Sequence, residues 1–247
     1  MYPNLIGELL GTMVLIILGD GVVACLLLKD SKGNGAGWVH ICLGWGFAVM
    51  FGIYMAWSFG ATEADLNPAV TLFKGLRGVY PGGMPQVLAT IIAEMIGGVI
   101  GGVFVYLLYS NHWAETENPG DKLAVFCTGP ARRNFFANFI TEIISTVLLI
   151  LGIQSIFQGT TTSGGEVPVF MIPFFVGCLI FVLGAACGGP TGYSLNPARD
   201  MGPRIAHAIL PIPGKGTNDW SYGLCIATGG PLTAAIVSYL LWGGAGF

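Results

Sequence analysis

Charge is what this sequence has least of. Asp, Glu, Lys and Arg make up 9% of its 247 residues, against about 25% in an ordinary soluble domain. That scarcity excludes a solvated globular surface over most of the chain. It also excludes the basic stripe by which proteins take up nucleic acid, and a net charge of −3 names no partner. Metal and redox spacings are missing too. Cys25, Cys42, Cys127, Cys178, Cys187 and Cys225 form no Cys-x-x-Cys pair, and His40, His112 and His207 are scattered. Neither a metal nor a cofactor is called for, and no nucleophile–base motif marks an enzyme. The first apolar run lacks a basic leader and a cleavage site and is too long for a removable signal.

What is present is apolar length. Hydrophobic residues reach 53%, and the mean hydropathy is +0.72. Six runs stand out: Leu5–Leu28, Val39–Ala61, Gln86–Tyr109, Phe135–Phe157, Val167–Cys187 and Tyr222–Trp242. Each has the roughly 20 residues that carry a helix across ~30 Å of hydrocarbon. In lipid the backbone must satisfy its own hydrogen bonds, so each run is expected to be a helix. Two shorter stretches, Asn67–Gly75 and Asn196–Leu210, each open with Asn-Pro-Ala and are too short to span. The expected fold class is therefore an all-α membrane protein, six transmembrane helices plus two re-entrant half-helices. Glycine, at 39 residues, supplies small-residue faces such as Gly97-Gly98-Val-Ile-Gly101-Gly102, which let helix backbones approach closely.

The chain also repeats itself. Glu8-x-x-x-Thr12 matches Glu142-x-x-x-Thr146, Asn67-Pro68-Ala69 matches Asn196-Pro197-Ala198, and Gly97-Gly98 matches Gly230-Pro231, all at nearly one offset. The division expected is a first repeat over 1–115, a connecting loop over 116–134 and a second repeat over 135–247. Each half holds three spans, so the second begins on the opposite side of the bilayer and the repeat is inverted. The two half-helices then enter from opposite faces and meet near the midplane. Basic residues argue about orientation: Lys29, Lys32, Lys122, Arg132, Arg133, Arg204 and Lys215 share one side, and only Lys74 and Arg77 the other. The positive-inside bias alone places the termini outside.

Two facing half-helices have a definite chemistry. Proline at the first helical position costs no hydrogen bond, and Asn67 and Asn196 sit where N-caps sit. Two N-termini, each worth roughly half a positive charge, converge there and repel cations and protons. A neutral polar solute is admitted.

At these residues the chain resembles the aquaporins, or major intrinsic proteins. The pieces that carry the resemblance are Asp65-Leu-Asn-Pro-Ala-Val70, Gly192-Tyr-Ser-Leu-Asn-Pro-Ala-Arg-Asp200 and the paired Glu-x-x-x-Thr motifs, and it covers essentially the whole chain. Asp200 after Arg199 looks like the glycerol-conducting branch, the aquaglyceroporins. The resemblance implies a selectivity filter of Trp45, Gly184, Tyr193 and Arg199. Gly184 stands where water-selective members carry histidine, which implies a wider filter, with Trp45 and Tyr193 as a greasy corner and Arg199 donating to hydroxyls. Glu8 and Glu142 are expected to accept hydrogen bonds from the non-helical segments ahead of each half-helix. That leaves the carbonyls of Ala64, Asp65, Leu66, Gly192, Tyr193, Ser194 and Leu195 as a ladder along the pore.

The chain departs from the family at several places. Asp65 replaces a histidine, the link Gly60–Asp65 is longer than usual, and Tyr193 replaces phenylalanine. Glu94 replaces glutamine, and Ala227-Thr228 replaces Pro-Leu. Tyr109 and Arg204 fit the glycerol branch. Asp20, three turns beyond Glu8, is expected near the opposite interface as a vestibule or packing residue, and Glu63 and Asp65 either to tune solute entry or respond to pH, or to stabilise their loop. The stretch 110–134 reads as solvated loop. The resemblance implies a passive channel for glycerol and some water that excludes ions and protons, a homotetramer with cytoplasmic termini in a bacterial plasma membrane. Alternatives are protonated lactic acid, dihydroxyacetone, urea or hydrogen peroxide as the solute, or a proton-coupled transporter using Glu8 and Glu142.

Overall fold

The computed structural model describes residues 2–162 and 168–244; Val167, the expected start of the fifth run, lies outside them, as do Met1 and 245–247. In chain order the elements are α1 (Tyr2–Leu27), α2 (Trp38–Ser58), α3 (Pro68–Leu76), α4 (Gly83–Leu108), α5 (Pro119–Phe126), α6 (Phe135–Thr162), α7 (Ile172–Cys187), α8 (Pro197–Ile209), α9 (Trp220–Tyr222) and α10 (Gly229–Gly244). Among the described residues six helical segments are long and apolar enough to cross a bilayer. The protein is an all-helical, multi-pass membrane protein.

Helix α4 shows how sequence dictates packing. Leu88, Ile92 and Ile96 are exposed on one face, while Gly97, Gly98, Gly101 and Gly102 are buried on the other. A Cβ on Gly97 would lie 2.3 Å from the Leu9 carbonyl oxygen of α1, and one on Gly98 2.5 Å from the Ala198 carbonyl oxygen of α8. Only glycine lets α4 touch both neighbours at backbone distance. Gly46 of α2 and Gly177 of α7 do the same for each other, each virtual Cβ falling 2.7 Å from the other's carbonyl oxygen. Without a hydrophobic drive between lipid-soluble helices, such close contact is the main adhesive.

The half-helices interlock the two parts of the chain. The first, α3, packs on α10, and the second, α8, packs on α4. Each is thus held by a span from the other end of the sequence.

Two regions differ from the sequence reading. The stretch 110–134 is not simply solvated: it contains α5, capped by Asn118 Oδ1 accepting from the Gly120 N–H at 2.9 Å with Pro119 in the first turn. Trp113 and Phe126 are buried there, stacked at 5.5 Å. The sixth span is also interrupted, running from α9 through a π-helical turn, Gly223–Thr228, into α10. Pro231 has no N–H to give the Ala227 carbonyl one turn earlier, and its ring crowds that carbonyl. The π turn relieves the clash, and Ala227 O takes the Ser194 hydroxyl instead, at 2.8 Å.

Candidate functional site

The half-helices meet N-terminus to N-terminus. Asn67 Oδ1 accepts from the Ala69 N–H at 2.9 Å, and Asn196 Oδ1 accepts from Ala198 and Arg199 N–H at 2.9 and 3.2 Å. Capping uses the oxygens and leaves the amide nitrogens to donate. Asn67 Nδ2 donates to Leu195 O at 3.1 Å, and Asn196 Nδ2 to Leu66 O at 2.7 Å. Each amide has a second hydrogen, and both asparagines line a central lumen. Pro68, Ala69, Pro197 and Ala198 are buried behind them as the first helical residues.

The segments feeding the half-helices are unusual backbone. Ala64, Leu66, Tyr193 and Leu195 all have positive φ, between 42° and 56°, and Gly192 has φ 80°. Each non-glycine residue in this region costs about 1–2 kcal/mol. Buried carboxyls hold them there. Glu8 Oε1 and Oε2 accept from the Asp65 and Leu66 N–H groups at 3.0 and 2.9 Å. Glu142 accepts from Ser194 and Leu195 N–H at 3.0 and 3.1 Å. Both oxygens of each group accept, which suits the ionised form, and such bonds contribute about 1.5–3 kcal/mol apiece. These bonds work against the strain in the feeding segments. Ala64, Asp65, Tyr193, Ser194 and Leu195 line the lumen, Leu66 O takes the Asn196 amide, and Gly192 lies beside Thr128.

Trp45, Tyr193 and Arg199 are brought together at one end of the lumen. The Arg199 guanidinium lies 3.9 Å from the Trp45 ring centre. Gly184 does not open a gap beside them. A Cβ on it would meet Tyr193 Cζ at 2.7 Å, and one on Gly188, a helical turn later, would meet Tyr193 Cδ1 at 2.7 Å. The two glycines cradle the Tyr193 ring, and Trp38 closes the box edge-on at 5.9 Å. Trp45 Nε1 is buried with no hydrogen bond among the described residues, and the buried Tyr193 hydroxyl lies beside the Cys42 thiol.

Asp200 lies outside the lumen and works as a staple. Its Oδ2 accepts from the Thr128 N–H and hydroxyl at 2.7 and 2.6 Å, and its Oδ1 from Arg204 Nε at 2.9 Å. Arg204 continues to the carbonyls of Thr128 and Asn218, at 3.0 and 2.7 Å. Thr128 and Asn218 carry no signal in the sequence, but Asp200 and Arg204 stand at helical i, i+4 spacing.

At the other end of the lumen the acidic link pairs with α3. Lys74 Nζ lies 2.5 Å from Asp65 Oδ1 and 2.9 Å from Glu63 Oε2. Burial works to strip the Lys74 proton, but Asp65 and Glu63 outweigh it and hold the ammonium above its ordinary range. Glu94 Oε1 accepts from the Asn67 N–H at 2.9 Å and the Thr71 hydroxyl at 2.7 Å. It serves the first half-helix as a further backbone acceptor, a role the sequence did not signal.

The Major intrinsic protein family model matches residues 1–242, and the chain belongs to that family. It is 46% identical to the "Probable glycerol uptake facilitator protein" of Thermotoga maritima, over 96% of this chain and 97% of that one. It is 48% identical to "Glycerol uptake facilitator protein 3" of Lactiplantibacillus plantarum, over 97% and 95%. Its fold is similar to the X-ray structure of the aquaglyceroporin from Plasmodium falciparum, with a TM-score of 0.82 and 27% identity over 97% of this chain and 94% of that one.

Proposed function

We propose that the protein is an aquaglyceroporin: a passive channel for glycerol and other small uncharged solutes, with some water, that excludes ions and protons. The observation that carries this is the mixed lining of the lumen. Leu15, Val49, Ile53, Leu149, Ile153, Val176 and Ile180 give it apolar surface, and the asparagines and the feeding segments give it polar groups. A polyol offers the same pair of surfaces, a carbon edge and a row of hydroxyls. Trp45 and Tyr193 form the apolar corner of the filter, and Arg199, Tyr193 Oη and Trp45 Nε1 supply its polar contacts. Gly184 acts through the ring it makes room for. Two helix N-termini and two amide donors at the midplane oppose a cation or a proton relay.

This reading makes the chain a conduit with no chemical step, so not an enzyme. Glu8 and Glu142 are loop supports in it, since both oxygens of each are already engaged. The chain divides into inverted repeats over 1–115 and 135–247 joined through 116–134, and four copies assemble with one pore each. Stopped-flow light scattering on proteoliposomes tests the function. Fast glycerol entry, modest water flow and a low activation energy are expected, with Arg199→Ala weakening the exclusion of charged species. Rapid water flow with negligible glycerol entry would overturn the glycerol reading. Lactic acid, urea and dihydroxyacetone in the same assay rank the other solutes.

A further inference from the structure

Arg199 has a partner that no Asn-Pro-Ala motif contains. Asp20, two turns before the C-terminal end of α1, is fully buried, and its Oδ1 lies 3.4 Å from Arg199 Nη1. Among the described residues this is the one carboxylate in ion-pair range of Arg199. Asp200, next in sequence, is committed to Thr128 and Arg204. The rest of the surroundings confirm that α1 backs the filter. A Cβ on Gly19 would fall 2.3 Å from the Trp45 ring, so the indole lies flat against the α1 backbone. Arg199 is therefore held by the Trp45 face, by the Asp20 carboxylate, and at its own N–H by Asn196 Oδ1.

The charge arrangement matters more than the contact. A guanidinium facing a narrow lumen at low dielectric is a strong trap for a small anion, because carboxylates match its planar fork. A trapped carboxylate plugs a pore of this width. Among the described residues Asp20 Oδ2 has no hydrogen-bond partner, so the carboxylate forms no other bond there that would draw its charge elsewhere. We propose that Asp20 is the built-in counter-ion of the selectivity filter: it positions Arg199 and cancels its charge, so that the filter donates hydrogen bonds to hydroxyls without binding small carboxylates. This inference rests on the reading of Arg199 as a filter residue.

Glycerol flux into proteoliposomes, with acetate present equally on both sides at neutral pH, tests it. Arg199→Ala is measured first, without acetate; unchanged solute selectivity there would sink the filter reading itself, separately from Asp20. Asp20→Asn keeps an acceptor for Arg199 and removes the charge. It is expected to make glycerol flux sensitive to acetate, with the half-inhibiting concentration at least about fivefold below that of the wild type, the scale of coupling between contacting residues. A merely structural role for Asp20 would slow flux without creating acetate sensitivity. Adding Asp20→Asn to the Arg199→Ala protein should restore insensitivity. Asp20→Asn with wild-type acetate response, or acetate sensitivity that persists in the double variant, overturns the proposal. If Asp20→Asn alone is not recovered folded, the double variant must be, since it leaves no unpaired buried charge; an unfolded double variant beside a folded Arg199→Ala protein overturns it as well.

Discussion

At the scale of single residues, two capping asparagines and two buried carboxyls hold the segments that feed the half-helices. Asn67 and Asn196 were legible in the sequence because their chemistry is local, a cap followed by a proline in the first helical turn, whereas Glu8 and Glu142 reach N–H groups more than 50 positions away and also admitted a proton-carrier reading. Gly184 was legible only in part. A glycine in place of histidine reads as added width, yet its space is filled by the Tyr193 ring, and the cradle needs Gly188 as well. The Gly184-x-x-x-Gly188 spacing was in plain view but has no meaning until a ring from a distant segment lies in it. Gly184→Ala should therefore push Tyr193 toward the lumen and lower glycerol permeability several-fold more than water permeability; equal losses of both would mean that the ring does not respond to the cradle. Glu8→Gln tests the loop supports. A glutamine can accept from only one of the Asp65 and Leu66 N–H groups, leaving the other facing an NH2. The cost is about 1–3 kcal/mol for a buried unsatisfied donor, added to strain that Ala64 and Leu66 already carry. A lower unfolding temperature with weaker conduction is expected, and a thermal midpoint equal to wild type would refute the support role.

At the scale of elements, the six spans could be read from length and hydropathy, and their ends less well. The third span starts at Gly83 rather than Gln86, after a left-handed Gly82, and the fourth runs on to Thr162. Turn geometry, not hydropathy, sets the first of those limits. The π turn before α10 follows from Pro231, but its purpose, freeing Ala227 O for Ser194, depends on a contact between distant segments. Helix α5 was hidden by polar composition, although Asn118-Pro119 is the same cap-and-proline start used by both half-helices. Glycine content was read correctly as a packing device, and the positions can now be separated. Gly98→Ala places a Cβ 2.5 Å from the Ala198 carbonyl oxygen, a backbone atom that cannot swing away. It must push α8 off α4, at about 1–3 kcal/mol for overpacking, and disturb the second Asn-Pro-Ala cap with it. Gly21→Ala in α1 meets nothing within 4 Å and should be neutral or stabilise by about 0.4–1 kcal/mol. Thermal unfolding in detergent, paired with glycerol flux, separates the two; equal behaviour of both variants would show that helix approach at Gly98 is not limiting.

At the scale of the whole molecule, the lumen belongs to neither half of the chain. The first half supplies Trp45, Asn67 and Glu8, the second Tyr193, Arg199, Asn196 and Glu142, and each asparagine donates to a carbonyl of the other half. The crossing of α3 onto α10 and of α8 onto α4 makes the same statement in backbone packing. Counting spans was enough to foresee that the half-helices meet, because an odd number of crossings forces the inversion. The interlock could not be counted, since it depends on which glycine faces fit which half-helix. The connecting stretch is the part least involved in this exchange. Beyond α5 and Thr128 its chain is exposed through Arg132 and Arg133, where Ala131 N–H meets Pro190 O and Arg133 pairs with Asp219. Severing it between Arg132 and Arg133 leaves α5, with the Thr128 staple to Asp200, on the first piece, and Arg133 with its ion pair on the second. The pieces 1–132 and 133–247, produced together, should reassemble and conduct glycerol, because every contact across the lumen is non-covalent and needs no bond between Arg132 and Arg133. Either piece alone should conduct nothing: it would carry one asparagine whose amide has no carbonyl to donate to, one half-helix without the span that holds it, and half of a lumen wall open to lipid. Glycerol flux through a single piece would mean that one half forms a pore by pairing with its own copy, and the two-part construction of the lumen would have to be abandoned.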